Sequence, residues 1–146
     1  MKIENKNILI TGATGGIGEA IVRTFDANNN NILLTGTRNE KLKRLSESLN
    51  EKAEYVECDF SNLNNIENII NKINNSFDNK IDILINNAGI TKDNLALRMK
   101  KEEWLDVINL NLNSVFFLTK EILKFMIKNR FGRIISISSV IGSSGN

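Results

Sequence analysis

The chain has no histidine and no proline, and its 146 residues include one cysteine, one tyrosine and one tryptophan. Without histidine, the commonest general base and the commonest metal ligand are both missing. Acid–base chemistry therefore falls to Tyr, Lys, Asp or Glu, and no metal site is expected. A lone cysteine, Cys58, excludes an internal disulfide. It closes a predicted strand beside Asp59 and reads as a small buried thiol rather than a nucleophile. Tyr55 lies on a predicted strand with no base next to it, so it receives no catalytic role. No apolar run approaches the ~20 residues of a membrane span; stretches such as Val115–Leu118 are core-sized. The opening residues, Met1–Asn7, lack the apolar core of a secretory signal. A net charge of +2 is too small to argue for nucleic acid or an anionic membrane as partner. The expectation is a cytoplasmic chain, with residues 1–146 forming one domain undivided by proline, linker or repeat. Asparagine is abundant, as over residues 28–31 and 62–75, but helical and strand periodicity persists through it.

What is present begins with Thr11-Gly12-Ala13-Thr14-Gly15-Gly16-Ile17-Gly18. It follows the apolar run Ile8–Ile10, which reads as a buried parallel strand. It opens a helical segment carrying Ile17, Ala20, Ile21 and Phe25. Glycines between strand and helix let the main chain turn sharply. Helix-terminal N–H groups and the positive end of the dipole then face the turn, which suits a phosphate. A Walker loop would require Lys-Ser or Lys-Thr after the last glycine, and Glu19-Ala20 stand there instead. The stretch reads as a dinucleotide-pyrophosphate cradle.

Strand and helix patterns then alternate. Strands are predicted at Asn7–Ile10, Asn31–Thr35, Ala53–Glu57, Ile81–Ile85 and Arg133–Ser138. Several are apolar almost throughout, as strands covered on both faces are. Asn39 is predicted to cap a helix with Leu42, Leu45 and Leu49 on its stripe. Ser61 is predicted to cap another carrying Leu63, Ile66, Ile70, Ile73 and Phe77. One long helix is predicted from Lys101 to Asn129. Such βαβ units make an α/β fold with a doubly wound parallel sheet of Rossmann type, five strands being present. The ligand crevice then lies at the carboxyl ends of the strands, where Thr11, Thr35, Asp59, Asn86 and Ser138 fall.

The second strand ends Thr35-Gly36-Thr37-Arg38. In this fold that end lies beside the adenosine ribose, where an acidic residue would bind the 2′-hydroxyl and repel a 2′-phosphate. Arg38 instead offers two donors to a phosphate and a plane to stack on adenine. NADPH is therefore predicted over NADH; the competing role is a solvated arginine heading a helix. Asp59 can accept from the adenine amino group or serve as a cap beside Ser61, and both stay open. In Asn86-Asn87-Ala88-Gly89, the small pair lets backbone pass close to a flat ligand. The two amides can tie strand ends together or meet a ribose. A serine after the last strand can hydrogen-bond a substrate carbonyl.

Taken together, Thr11-Gly12-x-x-x-Gly16-x-Gly18, Asn86-Asn87-Ala88-Gly89, Asn111 and Ser139 resemble the short-chain dehydrogenase/reductase family. Within it, Gly89–Leu95, Leu97-Arg98-Met99, Trp104, Asn111-Leu112, Ser114–Phe116 and Gly132–Ile135 leading to Ser139–Gly142 resemble the 3-oxoacyl-[acyl-carrier-protein] reductases. The resemblance implies NADP(H) as cofactor and reduction of a 3-oxoacyl thioester on acyl carrier protein, in fatty acid biosynthesis. It implies that Gly12, Ala13, Thr14, Gly15, Gly16, Ile17 and Gly18 hold the pyrophosphate, and that Thr37 and Arg38 hold the 2′-phosphate end. Asp59 and Phe60 would flank the adenine, and Asn86, Ala88 and Gly89 would line the ribose. Ser139 would position the keto oxygen, and Asn111 would support a water in a proton relay. It further implies a homotetramer with the long helix at an interface. Acyl carrier protein is acidic, and Lys124, Lys128, Arg130 and Arg133 can offer it a basic rim, or can be solvated cations at a helix end.

Two departures stand out. Relatives that use NADPH often carry a basic residue at or beside position 15; Thr14-Gly15 supplies none, so the choice rests on Arg38. The family's Tyr-x-x-x-Lys pair belongs beyond Ser139 and does not occur in the sequence, which ends at Asn146; five of the family's seven strands are accounted for. The expectation is a C-terminally incomplete chain that alone turns over no ketone and exposes apolar surface. The alternatives are another short-chain ketone or alcohol oxidoreductase, such as one acting on acetoacetyl-CoA, and a non-catalytic dinucleotide-binding fragment.

Overall fold

In the computed structural model, residues 3–49 and 53–144 are described. Five strands form one parallel sheet: β1 (Asn7–Thr11), β2 (Asn31–Gly36), β3 (Ala53–Glu57), β4 (Ile83–Asn86) and β5 (Arg133–Ser136). Their order is β3-β2-β1-β4-β5, so the chain winds outward in one direction from β1, then crosses back to start β4 on its other side. That reversal places a crevice between the carboxyl ends of β1 and β4.

Period-2 alternation sorts the strand side chains between two cores. Ile8, Ile10, Ile32, Leu34, Ile83 and Ile85 face α1 (Gly16–Asp26) and α2 (Asn39–Glu47), with Val22, Leu42 and Leu45 packed on them. Leu9, Leu33 and Leu84 face the opposite way. They pack under Ile69 and Ile73 of α3 (Ile66–Ser76) and Leu118, Ile122 and Met126 of α5 (Ser114–Lys128). With both faces covered, the central strands need no polar side, hence their unbroken apolar runs. Among described residues no helix is long and apolar enough to cross a membrane.

Several local expectations are corrected. Arg38, not Asn39, occupies the cap position of α2, and no side chain caps it. Asn62, not Ser61, caps a 3-10 turn at Leu63–Asn65 that leads into α3, its Oδ1 accepting from Asn64 N at 3.1 Å. Ile17 and Ala20 of α1 are exposed, while Gly18 and Val22 are its buried contacts. The helix predicted over residues 101–129 is three pieces: α4 (Lys101–Ile108), a π turn at Asn109–Asn113, and α5. Its apolar residues divide, with Leu118 and Ile122 buried and Trp104, Leu112, Phe116 and Ile127 exposed. A short α6 (Ile141–Ser144) follows β5.

Candidate functional site

A cleft of about 440 Å³ opens at the carboxyl ends of β1 to β4. One wall is the glycine turn. Gly12 sits at φ +62°, a left-handed conformation that L side chains rarely adopt, and a Cβ there would meet Ala88 Cα at 2.9 Å. A Cβ on Gly18 would meet the Gly12 carbonyl oxygen at 2.2 Å. Backbone thus touches backbone at both positions, and only glycine fits. Gly15 occupies the cap position of α1 and has no side chain to satisfy the first-turn amides of Gly16, Ile17 and Gly18. Those donors and the positive helix end remain for a ligand oxygen. The residues fit a diphosphate.

The structure brings Gly12, Thr14, Gly15, Gly16, Ile17 and Gly18 to this cleft, together with Thr37, Arg38, Phe60, Ala88 and Gly89. Ala13 is not among them. It is fully buried, and its N–H donates to the Thr35 carbonyl at 3.0 Å, fastening the turn to β2. Asn86 is also elsewhere: it is buried beneath α5, with its Nδ2 donating to Thr119 Oγ1 at 3.3 Å. As the last residue of β4 it shares the face of Leu84, under α5. Its neighbour Asn87 does the tying, donating from Nδ2 to the carbonyls of Thr11 at 3.0 Å and Gly12 at 3.1 Å. Thr11 completes the junction: its Oγ1 accepts from the N–H groups of Asn87 and Ala88, both at 2.9 Å, and donates to the Ile85 carbonyl at 3.3 Å. The threonine at a strand end and the paired asparagines after β4 are the sequence signals for that joint.

At the far wall, Arg38 reaches back across the turn, Nε and Nη2 donating to Thr14 Oγ1 and Nη2 also to the Thr14 carbonyl. Cys58 and Phe60 lie beneath, both buried. Burial first, and the Asp59 carboxylate second, push the Cys58 thiol up to about 12. It stays protonated at neutral pH and serves as cleft lining, not as a nucleophile. Asp59 itself lies outside the cleft wall. Its exposed carboxylate accepts from Ser61 N at 2.9 Å, the cap-like role weighed for it in the sequence.

Asn111 lies in the π turn, where Ser114 N bonds back to the Asn109 carbonyl. Its amide clamps the loop after β4: Oδ1 accepts from Ile90 N at 2.9 Å, and Nδ2 donates to the Ile90 carbonyl at 2.8 Å. It therefore shapes the Gly89–Ile90 rim through a two-point bond rather than pointing free into solvent. π turns inside helices recur at functional sites, and no periodicity in the sequence revealed this one. Ser139 stands past β5, exposed, its Oγ accepting from Ile141 N at 3.3 Å. It lies outside the cleft lining, further along the same strand ends. Among described residues no group of His, Cys, Asp or Glu side chains could hold a metal.

Residues 6–146 match the short chain dehydrogenase family. The chain is 43% identical over 144 residues, 99% of its length, to the 3-oxoacyl-[acyl-carrier-protein] reductase FabG of Haemophilus influenzae. It is 43% identical over 146 residues to FabG of Escherichia coli strain K12. It spans 59% of the length of each of these curated relatives. Among solved structures, it superposes with a TM-score of 0.91 on a short chain dehydrogenase/reductase family protein, at 23% identity, covering 100% of this chain and 60% of that one. It superposes at 0.86 on serine dehydrogenase from Escherichia coli, at 33% identity, covering 94% of this chain and 63% of that one.

Proposed function

Because the chain belongs to the short-chain dehydrogenase family, we propose that it contributes the coenzyme half of an NADPH-dependent reductase of 3-oxoacyl-[acyl-carrier-protein]. The observation that carries the substrate assignment is 43% identity, across nearly the whole chain, to reductases of that name. Residues 1–146 serve as one dinucleotide-binding unit. The Gly15–Gly18 amides hold the diphosphate, Arg38 and Thr37 hold the 2′-phosphate, and Cys58 and Phe60 form the floor beneath the adenine side. Bound there, the coenzyme would supply hydride to a keto carbon. Ser139 donates a hydrogen bond to the keto oxygen in this reading, and Asn111 keeps the Gly89–Ile90 rim in place while that substrate is held. Proton donation is assigned to none of the 146 residues: the one tyrosine, Tyr55, is half-buried on the edge strand β3.

The exposed apolar residues Trp104, Leu112 and Phe116 on the α4–α5 arm suit an interface between copies, and we assign a homotetramer. The cations Lys124, Lys128, Arg130 and Arg133 suit an acidic carrier protein, and the cytoplasm suits both partners. A second reading, oxidoreduction of a small alcohol or ketone, draws support from the 33% identity to serine dehydrogenase. In a form of the protein that carries the family's Tyr-x-x-x-Lys pair, NADPH oxidation with acetoacetyl-carrier protein or acetoacetyl-CoA, compared with NADP+ reduction by 3-hydroxy acids, decides between them. A clear preference for the carrier-bound thioester supports the first reading. Turnover of the small substrates alone overturns it.

A further inference from the structure

Arg38 is an exposed side chain held by three hydrogen bonds to one residue 24 positions away. Nε donates to Thr14 Oγ1 at 3.2 Å, Nη2 to the same oxygen at 2.9 Å, and Nη2 to the Thr14 carbonyl at 2.6 Å. A free arginine on a surface spreads over many rotamers, and ordering it costs entropy. Here that ordering is met in advance by a neutral partner. No carboxylate pairs with Arg38 among the described residues, so its charge is not neutralised. Nη1 makes no hydrogen bond to a described residue, and its donors remain free. The glycine turn has no cation of its own, since Gly15 follows Thr14. Arg38 crosses back and places one there.

We propose that Thr14 is the positioning residue for coenzyme choice. Its hydroxyl holds the Nε–Nη2 edge of Arg38 above the turn and leaves the Nη1 donors of the delocalised cation for a phosphate on the ribose 2′ position. This deepens the coenzyme reading above and rests on it. The hydroxyl accepts two of the three bonds, so its removal leaves the guanidinium on a single carbonyl contact and free to rotate. A 2′-phosphate then meets an arginine that must be ordered on binding. NADH lacks that phosphate and gains nothing from the ordered arginine.

Calorimetric titration of the purified protein with NADPH and with NADH tests this in four variants: Thr14→Val, Thr14→Ser, Arg38→Ala, and Thr14→Val with Arg38→Ala. Thr14→Val should weaken NADPH about fivefold more than NADH, the scale of one ordinary net hydrogen bond. Thr14→Ser, which keeps the hydroxyl, should restore the preference. Once Arg38 is alanine, adding Thr14→Val should change the NADPH/NADH ratio no further. Equal weakening of both coenzymes by Thr14→Val would make Thr14 a mere part of the turn and overturn the proposal. An unchanged NADPH/NADH ratio in Thr14→Val beside a collapsed one in Arg38→Ala would overturn it too, with the coenzyme reading intact. If Arg38→Ala leaves the ratio unchanged, or neither coenzyme binds, the coenzyme reading itself fails and takes the proposal with it.

Discussion

At the amino ends of the strands, asparagine and aspartate side chains close the backbone on itself; at the carboxyl ends, glycines leave it open. Asn30, buried, accepts from Lys6 N at 2.9 Å and donates to the carbonyls of Ile3 at 3.0 Å and Phe25 at 2.9 Å. Asn7 N donates to Asp82 Oδ2 at 2.9 Å, and Asn7 Nδ2 donates to the Lys80 carbonyl at 2.9 Å. Asn31 Nδ2 donates to Asn7 Oδ1 at 2.7 Å. Asn30, Asn7 and Asp82 serve backbone groups that the strands leave unpaired as they begin, and Asn31 braces Asn7 side chain to side chain. The other end differs: its loops are tied by the Thr11–Asn87 joint, the Ala13–Thr35 bond and the Asn111 clamp, but the first-turn amides on α1 stay uncapped. One end of the sheet satisfies its polar groups internally and holds the fold. The other keeps donors unsatisfied and holds a ligand.

The contrast can be broken from either end. The largest effect is expected from Gly18→Ala, whose methyl would enter the Gly12 carbonyl and push α1 off the turn. Losing about two phosphate-facing amides should weaken coenzyme binding by about 100-fold, measured by titration. Asn30→Ala removes the side-chain partner of Lys6 N and of the Ile3 and Phe25 carbonyls, the last of which keeps its bond from Asn28 N. It should cost roughly 2 kcal/mol in urea unfolding, yet leave the NADPH/NADH ratio of affinities untouched; a changed ratio would mean that the two ends are coupled. Arg38→Asp should move that ratio about tenfold toward NADH, by removing a charge-assisted contact and adding repulsion. The smallest effect concerns Glu103 on the rim helix α4. Its Oε2 accepts from Lys100 N at 2.8 Å and from Asn94 Nδ2 at 3.3 Å, and the Lys100 bond is the main reason its carboxyl is held below its ordinary 4.5. A depressed folded pKa means stabilisation that is present above 4.5 and lost as pH falls through the lower, folded value. Glu103→Gln should therefore lower stability slightly at pH 7 and flatten the acid limb, the difference from the parent vanishing as pH falls below the folded value. A parallel acid limb in variant and parent would exclude this capping role.

Much of the site could be read before the fold was known, and the failures share a cause. The glycine turn was legible because strand, glycines and helix are consecutive in sequence. The roles of Asn86 and Asn87 were not separable, because a one-residue change of parity sends one to α5 and the other to the turn. Ala13 looked like part of a phosphate loop but is core, since the turn folds over β2. The apolar spacing from Trp104 to Met126 fits one helix. The π turn depends on where the loop carrying Ile90 passes, and the resemblance supplied Asn111 without its clamp.

The order of residues alone determined a parallel α/β sheet, its glycine cradle and the cation at the end of the second strand, because these depend on neighbours a few positions apart. Only the tertiary structure decided that Arg38 lies on Thr14, that Asn87 and not Asn86 locks the turn, and that Asp59 turns toward Ser61. Each of those depends on the directions of bonds between segments that meet only after the strands have paired, and spacing along a chain carries no record of direction.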